Sequence, residues 1–321
     1  MNHSITQKGL DSMPTFPSAD RRTAIHYHAW LPDSEPRAVL VLFHGMLEYS
    51  GRYAPFAEAL NAQGIAVYAQ DHLGHGESVH PASLHGHFAD TGGNRYVISD
   101  CLHMLAIAHT AHPNAPLFLM GHSMGSFLVR QLRHQFSLPA LSGVILMGSG
   151  KQPRLAVKFA QAFTGMIARF SGATRKSPLL FKLILGGNNR RCHPRRNSYD
   201  WLSRDPARTD AFAADARNCD NFTAQAYNDM LSGMLTNYDP RRTAAIDTSV
   251  PLLILSGDAD PIGEYGKGVI RLRDDFLDLG CDDVHVILYP GARHELLNET
   301  NRDQVIKDIL DWLNTLLEST H

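Results

Sequence analysis

The pentapeptide Gly121-His122-Ser123-Met124-Gly125 sets a hydroxyl between two glycines, after an apolar run at residues 116–120 and before a helical pattern at 126–135. In that strand–turn–helix context G-x-S-x-G reads as a nucleophile elbow. The serine takes strained backbone angles on a sharp turn, and the glycines let strand and helix backbones pass close to it. Composition alone would yield on the order of 0.1 such matches in a chain of this make-up, so pattern and placement together carry the assignment. A serine hydroxyl attacks a carbonyl only with a base in hydrogen-bond reach and a carboxylate to orient that base. Two later loops offer them: Gly257-Asp258-Ala259-Asp260-Pro261 after the run 252–255, and Gly291-Ala292-Arg293-His294-Glu295 after 284–289. Asp260 is preferred over Asp258, which has the alternative task of structuring its own turn. His294 is preferred over His285, which lies inside a run and not beyond its end. The expected catalytic set is Ser123, Asp260 and His294. Acyl chemistry also needs backbone N–H groups aimed at the developing oxyanion, expected from Met124 and from Met46 in the loop His44-Gly45-Met46.

The elements that must position these residues follow from the hydrophobic pattern. Short β-rich runs at 38–43, 65–69, 116–120, 144–147, 252–255 and 284–289 each end in a Gly, Asp or His turn, with helical stretches such as 53–63 and 97–111 between them. That rhythm marks a mostly parallel sheet with crossover helices, and ligands then sit beyond the carboxyl ends of the strands. Two further strands are expected before residue 38, one around 23–30, and a helix closes the chain near 302–317. The rhythm breaks between about 151 and 238, where helical patterns and basic residues replace strands, which suggests an insertion. Inside it Phe159, Phe163, Met166, Ile167 and Phe170 share one helical stripe, opposite Arg154, Lys158, Gln161 and Arg169. Such a stripe either packs on the main body or, with Leu179-Leu180-Phe181, lines an acyl channel or touches a membrane surface. On the second reading Phe159, Phe163, Ile167 and Leu180 contact substrate.

The remaining composition narrows the classes. With 321 residues, 44% hydrophobic and 19% charged, the chain reads as a soluble globular protein, one large domain or a domain with an insertion. Thirty Lys+Arg against 32 Asp+Glu give a net charge of −2, which offers no field for nucleic acid. Four dispersed cysteines without a CxxC pair fit a reducing compartment, and the absence of a leader or an 18-residue apolar stretch makes the cytoplasm the expected location. Asp71, His72 and His75, with His80, His85 and His87 nearby, invite a metal reading, but their spacing is not distinctive and a rigid turn is the preferred account. No metal or cofactor is expected.

Taken together the blocks resemble the monoacylglycerol lipase and lysophospholipase group of α/β-hydrolases. The likeness is carried by His44-Gly45-Met46-Leu47-Glu48-Tyr49-Ser50-Gly51-Arg52-Tyr53, Asp71-His72-Leu73-Gly74-His75-Gly76-Glu77-Ser78, Gly121-His122-Ser123-Met124-Gly125-Ser126, Gly257-Asp258-Ala259-Asp260-Pro261 and Gly291-Ala292-Arg293-His294-Glu295. It spans about residues 20–317, with a further similarity at Ser198-Tyr199-Asp200-Trp201-Leu202-Ser203-Arg204-Asp205. The resemblance implies an eight-stranded, mostly parallel α/β-hydrolase sheet with helices on both faces, a single domain over residues 1–321, and a helical cap at 151–235. It implies Ser123, Asp260 and His294 as triad, Met46 and Met124 as oxyanion donors, and a small lipid ester as substrate, with transient membrane contact through the cap. Short-chain esterase or other acyl-transfer activity is the alternative, and a silent ligand-binding member the remote one. Where the group reads Glu-His-Ser, this chain has Glu48-Tyr49-Ser50, a change on the alcohol side of the site.

Overall fold

A computed structural model describes residues 13–81 and 83–319. In chain order the elements are β1 (Thr15–Pro17), β2 (Ala24–Trp30), β3 (Ala38–Phe43), α1 (Ala54–Asn61), β4 (Ile65–Gln70), α2 (Gly93–Ala111), β5 (Leu117–His122), α3 (Met124–Gln135) and β6 (Gly143–Met147). Then follow α4 (Arg154–Ser171), α5 (Pro178–Ile184), α6 (Pro206–Ala214), α7 (Ala224–Thr236), α8 (Pro240–Thr243), β7 (Leu252–Gly257), α9 (Lys267–Asp278), β8 (Val284–Tyr289) and α10 (Arg302–Glu318).

The strands form one eight-stranded sheet in the order β1-β2-β4-β3-β5-β6-β7-β8. β1 and β2 pair antiparallel, and all pairs from β4 through β8 are parallel. The six apolar runs became β3 to β8. Of the two strands expected before residue 38, the longer is β2 and the other is β1, at the sheet edge.

The central strands are apolar on both faces because helices cover both. Along β3 the side chains alternate between two cores. Val39, Val41 and Phe43 join α2, α3 and α9 on one side, while Ala38, Leu40 and Leu42 join α1 and α10 on the other. Register places the ends of β3, β5, β6, β7 and β8 side by side, for example Phe43 beside Gly121 and Gly257 beside Tyr289. Residues far apart in the chain therefore share one sheet edge.

Between β6 and β7 no strand joins the sheet, and α4 to α8 occupy the stretch instead. Side-chain caps start four of these helices: Ser177 accepts from Leu180 N–H, Asp205 from Ala207, Thr223 from Ala226 and Asp239 from Arg241. α4 does not pack as a simple apolar-face-inward helix. It meets α7 through small and polar residues, with Val157, Thr164 and Ala168 buried and Gln161 Nε2 donating to Asn228 Oδ1 at 2.8 Å. Close approach to α7 favours the small side chains, so the bulky stripe is turned toward the cavity mouth and outward. Phe159 is 74% and Phe170 78% exposed.

Candidate active site

Ser123 follows the last residue of β5 and caps α3 with φ 51° and ψ −117°, a strained conformation for a residue with a Cβ. The turn closes tightly because Gly125 has no side chain: a Cβ there would lie 2.0 Å from the Phe43 carbonyl oxygen. Ser123 N–H donates to Met147 O at 2.9 Å, and Ser126 Oγ donates to Ser123 O at 2.6 Å, which holds the elbow from both sides.

The two downstream loops bring the other members to the same edge. His294 Nδ1 donates to Asp260 Oδ2 at 2.9 Å, both side chains being buried. The second Asp260 oxygen accepts Ile262 N–H at 2.8 Å, so the carboxylate is oriented on both oxygens. Asp258 spends its side chain on Gly291 N–H at 2.6 Å and so ties one loop to the other, a bond across 33 positions and not the local turn expected of it. His285 lies on β8, paired with Asp283 at 2.9 Å. Trp201, from the insertion, places its ring 4.8 Å from the His294 ring, and its carbonyl accepts the His294 N–H.

Ser123, His294, Met46 and Met124 all border one cavity of about 760 Å³. Among the described residues no protein acceptor takes up the Met46 or Met124 N–H, and the Ser123 hydroxyl makes no hydrogen bond. The chemistry such an arrangement can perform is attack by Ser123 Oγ on a carbonyl, proton transfer to His294 and stabilisation of an oxyanion by two N–H groups. Of the four residues expected to touch substrate, Phe159 and Phe163 border the cavity. Leu180 is fully buried in the core and Ile167 packs against it, so neither reaches the lining. Both lie on the helix sides that face the body of the protein, a distinction the 3.6-residue period alone does not make.

Beneath the cavity lies a buried polar network whose partners come from three separate loops. Glu48 Oε1 accepts from Gly45 N–H (2.6 Å), Tyr53 OH (2.8 Å) and His122 Nδ1 (2.9 Å), while Oε2 receives Arg52 Nη1 at 2.5 Å. Arg52 also binds Glu295 through two nitrogens at 2.7 and 2.6 Å. His122 Nε2 lies 3.4 Å from the His294 carbonyl oxygen. Burial alone would raise the Glu48 carboxyl, but Arg52 and His122 hold it well below the usual carboxylate range. Burial works against the charged His122 ring, yet the Glu48 bond and charge lift its proton affinity above the ordinary imidazole value. The network joins the oxyanion loop, the elbow and the histidine loop. Gly45 permits it, since a Cβ there would sit 2.7 Å from Glu48 Oε1. The available signal was Glu48 and Arg52 at i,i+4 beside a glycine loop.

Tyr49 donates its hydroxyl to Asp215 Oδ2 at 2.7 Å, and the Arg217 guanidinium lies over its ring at 4.4 Å. The departure from Glu-His-Ser thus joins the loop after β3 to the insertion. Burial and the Asp215 bond push the Tyr49 hydroxyl up to about 12.

The histidine-rich block is a braced turn. Asp71 Oδ1 accepts Ser50 N–H at 2.8 Å and Ser50 OH at 2.6 Å, and Oδ2 accepts Glu77 N–H at 2.9 Å. His44, His72 and His75 meet in tilted and edge-on contacts with ring centroids 4.1 to 6.1 Å apart, and burial pushes all three below the ordinary imidazole value. His44 Nδ1 bonds Gly45 O at 2.7 Å and its Nε2 accepts His72 N–H at 2.9 Å, so it supports the oxyanion loop. His112, just past α2, is half-buried and bonded to Tyr68 OH at 2.9 Å.

Comparison with known proteins gives the lineage. The profile of the serine aminopeptidase S33 family (Hydrolase_4) matches residues 34–301. A monoacylglycerol lipase of Mycolicibacterium smegmatis is 31% identical over 296 residues, covering 90% of this chain and 92% of its own length. The monoglyceride lipase of Mus musculus is 25% identical over 293 residues, 89% of this chain and 85% of that one. Among solved structures, a thermostable carboxyl esterase from Bacillus coagulans in complex with glycerol superposes with a TM-score of 0.87 at 25% identity, covering 95% and 98% of the two chains. The chain therefore belongs to the Hydrolase_4 family of α/β-hydrolases, in the group that contains the monoacylglycerol lipases, and is a serine ester hydrolase.

Proposed function

We propose that the protein cleaves the carboxylic ester of a small single-chain lipid, a monoacylglycerol or lysophospholipid, through an acyl-enzyme on Ser123. One observation carries the reading: a single cavity has Ser123 and His294 at its polar floor and Phe159, Phe163, Leu183, Ile184 and Met234 around its remaining walls. At about 760 Å³ it falls within the ~300–1,000 Å³ typical of ligand pockets. An acyl chain along the apolar walls would bring its ester carbonyl to the floor.

There Ser123 Oγ forms a bond to the carbonyl carbon as its proton passes to His294 Nε2, and the carbonyl π electrons move to an oxygen held by the Met46 and Met124 N–H groups. Collapse expels the alcohol, which takes the proton from His294. Water, deprotonated by the same ring, then releases the fatty acid and restores Ser123. Asp260 keeps Nδ1 protonated and stabilises the imidazolium. The relatives named for monoacylglycerol hydrolysis support this substrate class.

The outer side of the insertion supports substrate capture from a lipid surface. Leu155, Phe159, Met166, Phe170, Leu179 and Leu183 are exposed on α4 and α5, near Lys158, Arg169 and Lys182, a mixture of bulky apolar and cationic groups suited to a membrane interface. No helix among the described residues is long and apolar enough to cross a membrane.

Labelling with a fluorophosphonate probe, followed by a panel of monoacylglycerols, lysophospholipids and acetyl or butyryl esters, tests the proposal. The expected result is labelling lost in Ser123→Ala and preference for long chains. Equal labelling of both proteins removes Ser123 from the mechanism, and preference for the shortest esters overturns the lipid assignment.

A further inference from the structure

A second cavity, of about 250 Å³, opens where both ends of the insertion meet the core. Lys151 borders it from the first end and Tyr238 from the last, with Arg130 and His134 of α3 and Asp275 and Phe276 of α9. Arg130 is only 6% exposed. Its guanidinium, with five N–H donors, makes no hydrogen bond or ion pair among the described residues and lies 5.8 Å from the Phe127 ring centroid.

The other charged groups facing this space are accounted for. Lys151 Nζ and Asp275 Oδ1 neutralise one another at 2.5 Å. Asp278 is exposed at the rim. His134 bonds Asn237 Oδ1 at 2.7 Å and burial holds it below the ordinary imidazole value, so it is neutral. Tyr238 OH donates to Gln152 O at 2.8 Å. Burial also lowers the proton affinity of Arg130, though a guanidinium stays charged in proteins. The guanidinium has no hydrogen-bonded counter-group, with Tyr238 and Asp275 acting on it only through space, and a planar fork of N–H groups facing a cavity matches an oxyanion.

We propose that this cavity binds a small phosphate-type oxyanion, gripped by the Arg130 fork with Lys151 as second donor. Lys151 has two N–H groups beyond the one on Asp275, and both can turn to the ligand. Because Lys151 stands at the first junction of the insertion, the bound anion ties that junction to α3, the helix that begins beside Ser123.

Isothermal titration of the full chain with inorganic phosphate and with glycerol 3-phosphate, at constant ionic strength set by sodium chloride, tests this. One ligand or both should bind saturably and raise the melting temperature. Tighter inorganic phosphate identifies the free ion, and tighter glycerol phosphate a lipid-headgroup fragment. Arg130→Gln should weaken binding at least about tenfold, the loss of one charge-assisted contact, with Arg130→Lys intermediate and Lys151→Gln weakened less. Absence of saturable binding by either ligand, or an affinity unchanged in Arg130→Gln, overturns the proposal. Should Arg130→Gln fail to fold, unchanged affinity in Lys151→Gln, a partly exposed site, overturns it equally.

Discussion

At the floor of the large cavity Glu48, His122 and Glu295 are buried, Arg52 is half-buried, and each is held by partners at 2.5 to 2.9 Å. At the roof, α4 and α5 leave Leu155, Phe159, Phe170 and Leu183 more than half exposed. The floor is built from directional bonds that tolerate little displacement, the roof from contacts that depend on area and not on angle. The two regions therefore divide the work. The floor holds reacting groups in place, and the roof accepts an apolar chain without specifying it atom by atom. Even the buried carboxylates differ. Glu48 has partners on both oxygens, whereas Asp229 on α7, behind the roof, has Oδ2 buried without one.

That contrast can be broken or sharpened by substitution. The largest expected effect lies at the floor, where Asp260→Asn should lower kcat for ester hydrolysis by about 10⁴-fold with the fold retained. Steady-state rates within tenfold of the unmodified enzyme would show that His294 needs no oriented carboxylate. Next comes Arg52→Met, which strands Glu48 and Glu295 without their cation. Urea unfolding should register a loss of about 3–5 kcal/mol, and a loss below about 1 kcal/mol would mean the floor is not held by its charges.

The His122→Gln variant tests the same region through pH. Its folded-state proton affinity is raised from an ordinary value of 6.5, so the protonated ring contributes fully below that value and the contribution vanishes as pH rises through the folded one. The stability difference between the unmodified protein and His122→Gln should narrow from acidic to alkaline pH, and a constant difference would contradict a charged ring.

Asp229 reports on the roof side. Burial pushes its carboxyl from the ordinary 3.8 up to about 6, so folded stability is lost as pH rises from about 4 to 6, where only the unfolded chain ionises freely, and stays lost above. Asp229→Asn should gain on the order of 1–2 kcal/mol at pH 8 and little at pH 4, read from melting curves. Smallest in stability is Phe159→Ser, expected within about 0.5 kcal/mol of the unmodified protein because the ring is exposed. It should instead raise KM for long-chain esters several-fold and leave short esters untouched. An equal effect on both would place Phe159 outside acyl binding.

How much of this was legible beforehand depends on the range of the cause. Strand runs, the elbow and the loops carrying Asp260 and His294 announce themselves locally, through alternation, turn residues and position at strand ends. The stripe on α4 was legible as a stripe, but its direction was not. Close packing of Gly165, Thr164 and Ala168 against α7 turned Phe159 outward and sent Ile167 inward. Trp201 was visible only as a letter within a motif and Tyr49 only as a departure from one, since their partners His294 and Asp215 stand in distant segments.

The sequence by itself determined the order of strands and helices, the strained serine between its glycines, and the nucleophile, acid and base in succession, because these depend on neighbours within a few residues. Tertiary structure alone decided that Arg52 meets Glu295 across 243 positions and that His122 meets Glu48 across 74. It also decided which face of the insertion is wet, and that Arg130 would line a cavity without a hydrogen-bonded partner. Such pairings follow from which strand ends the parallel register sets side by side, and no local pattern records that.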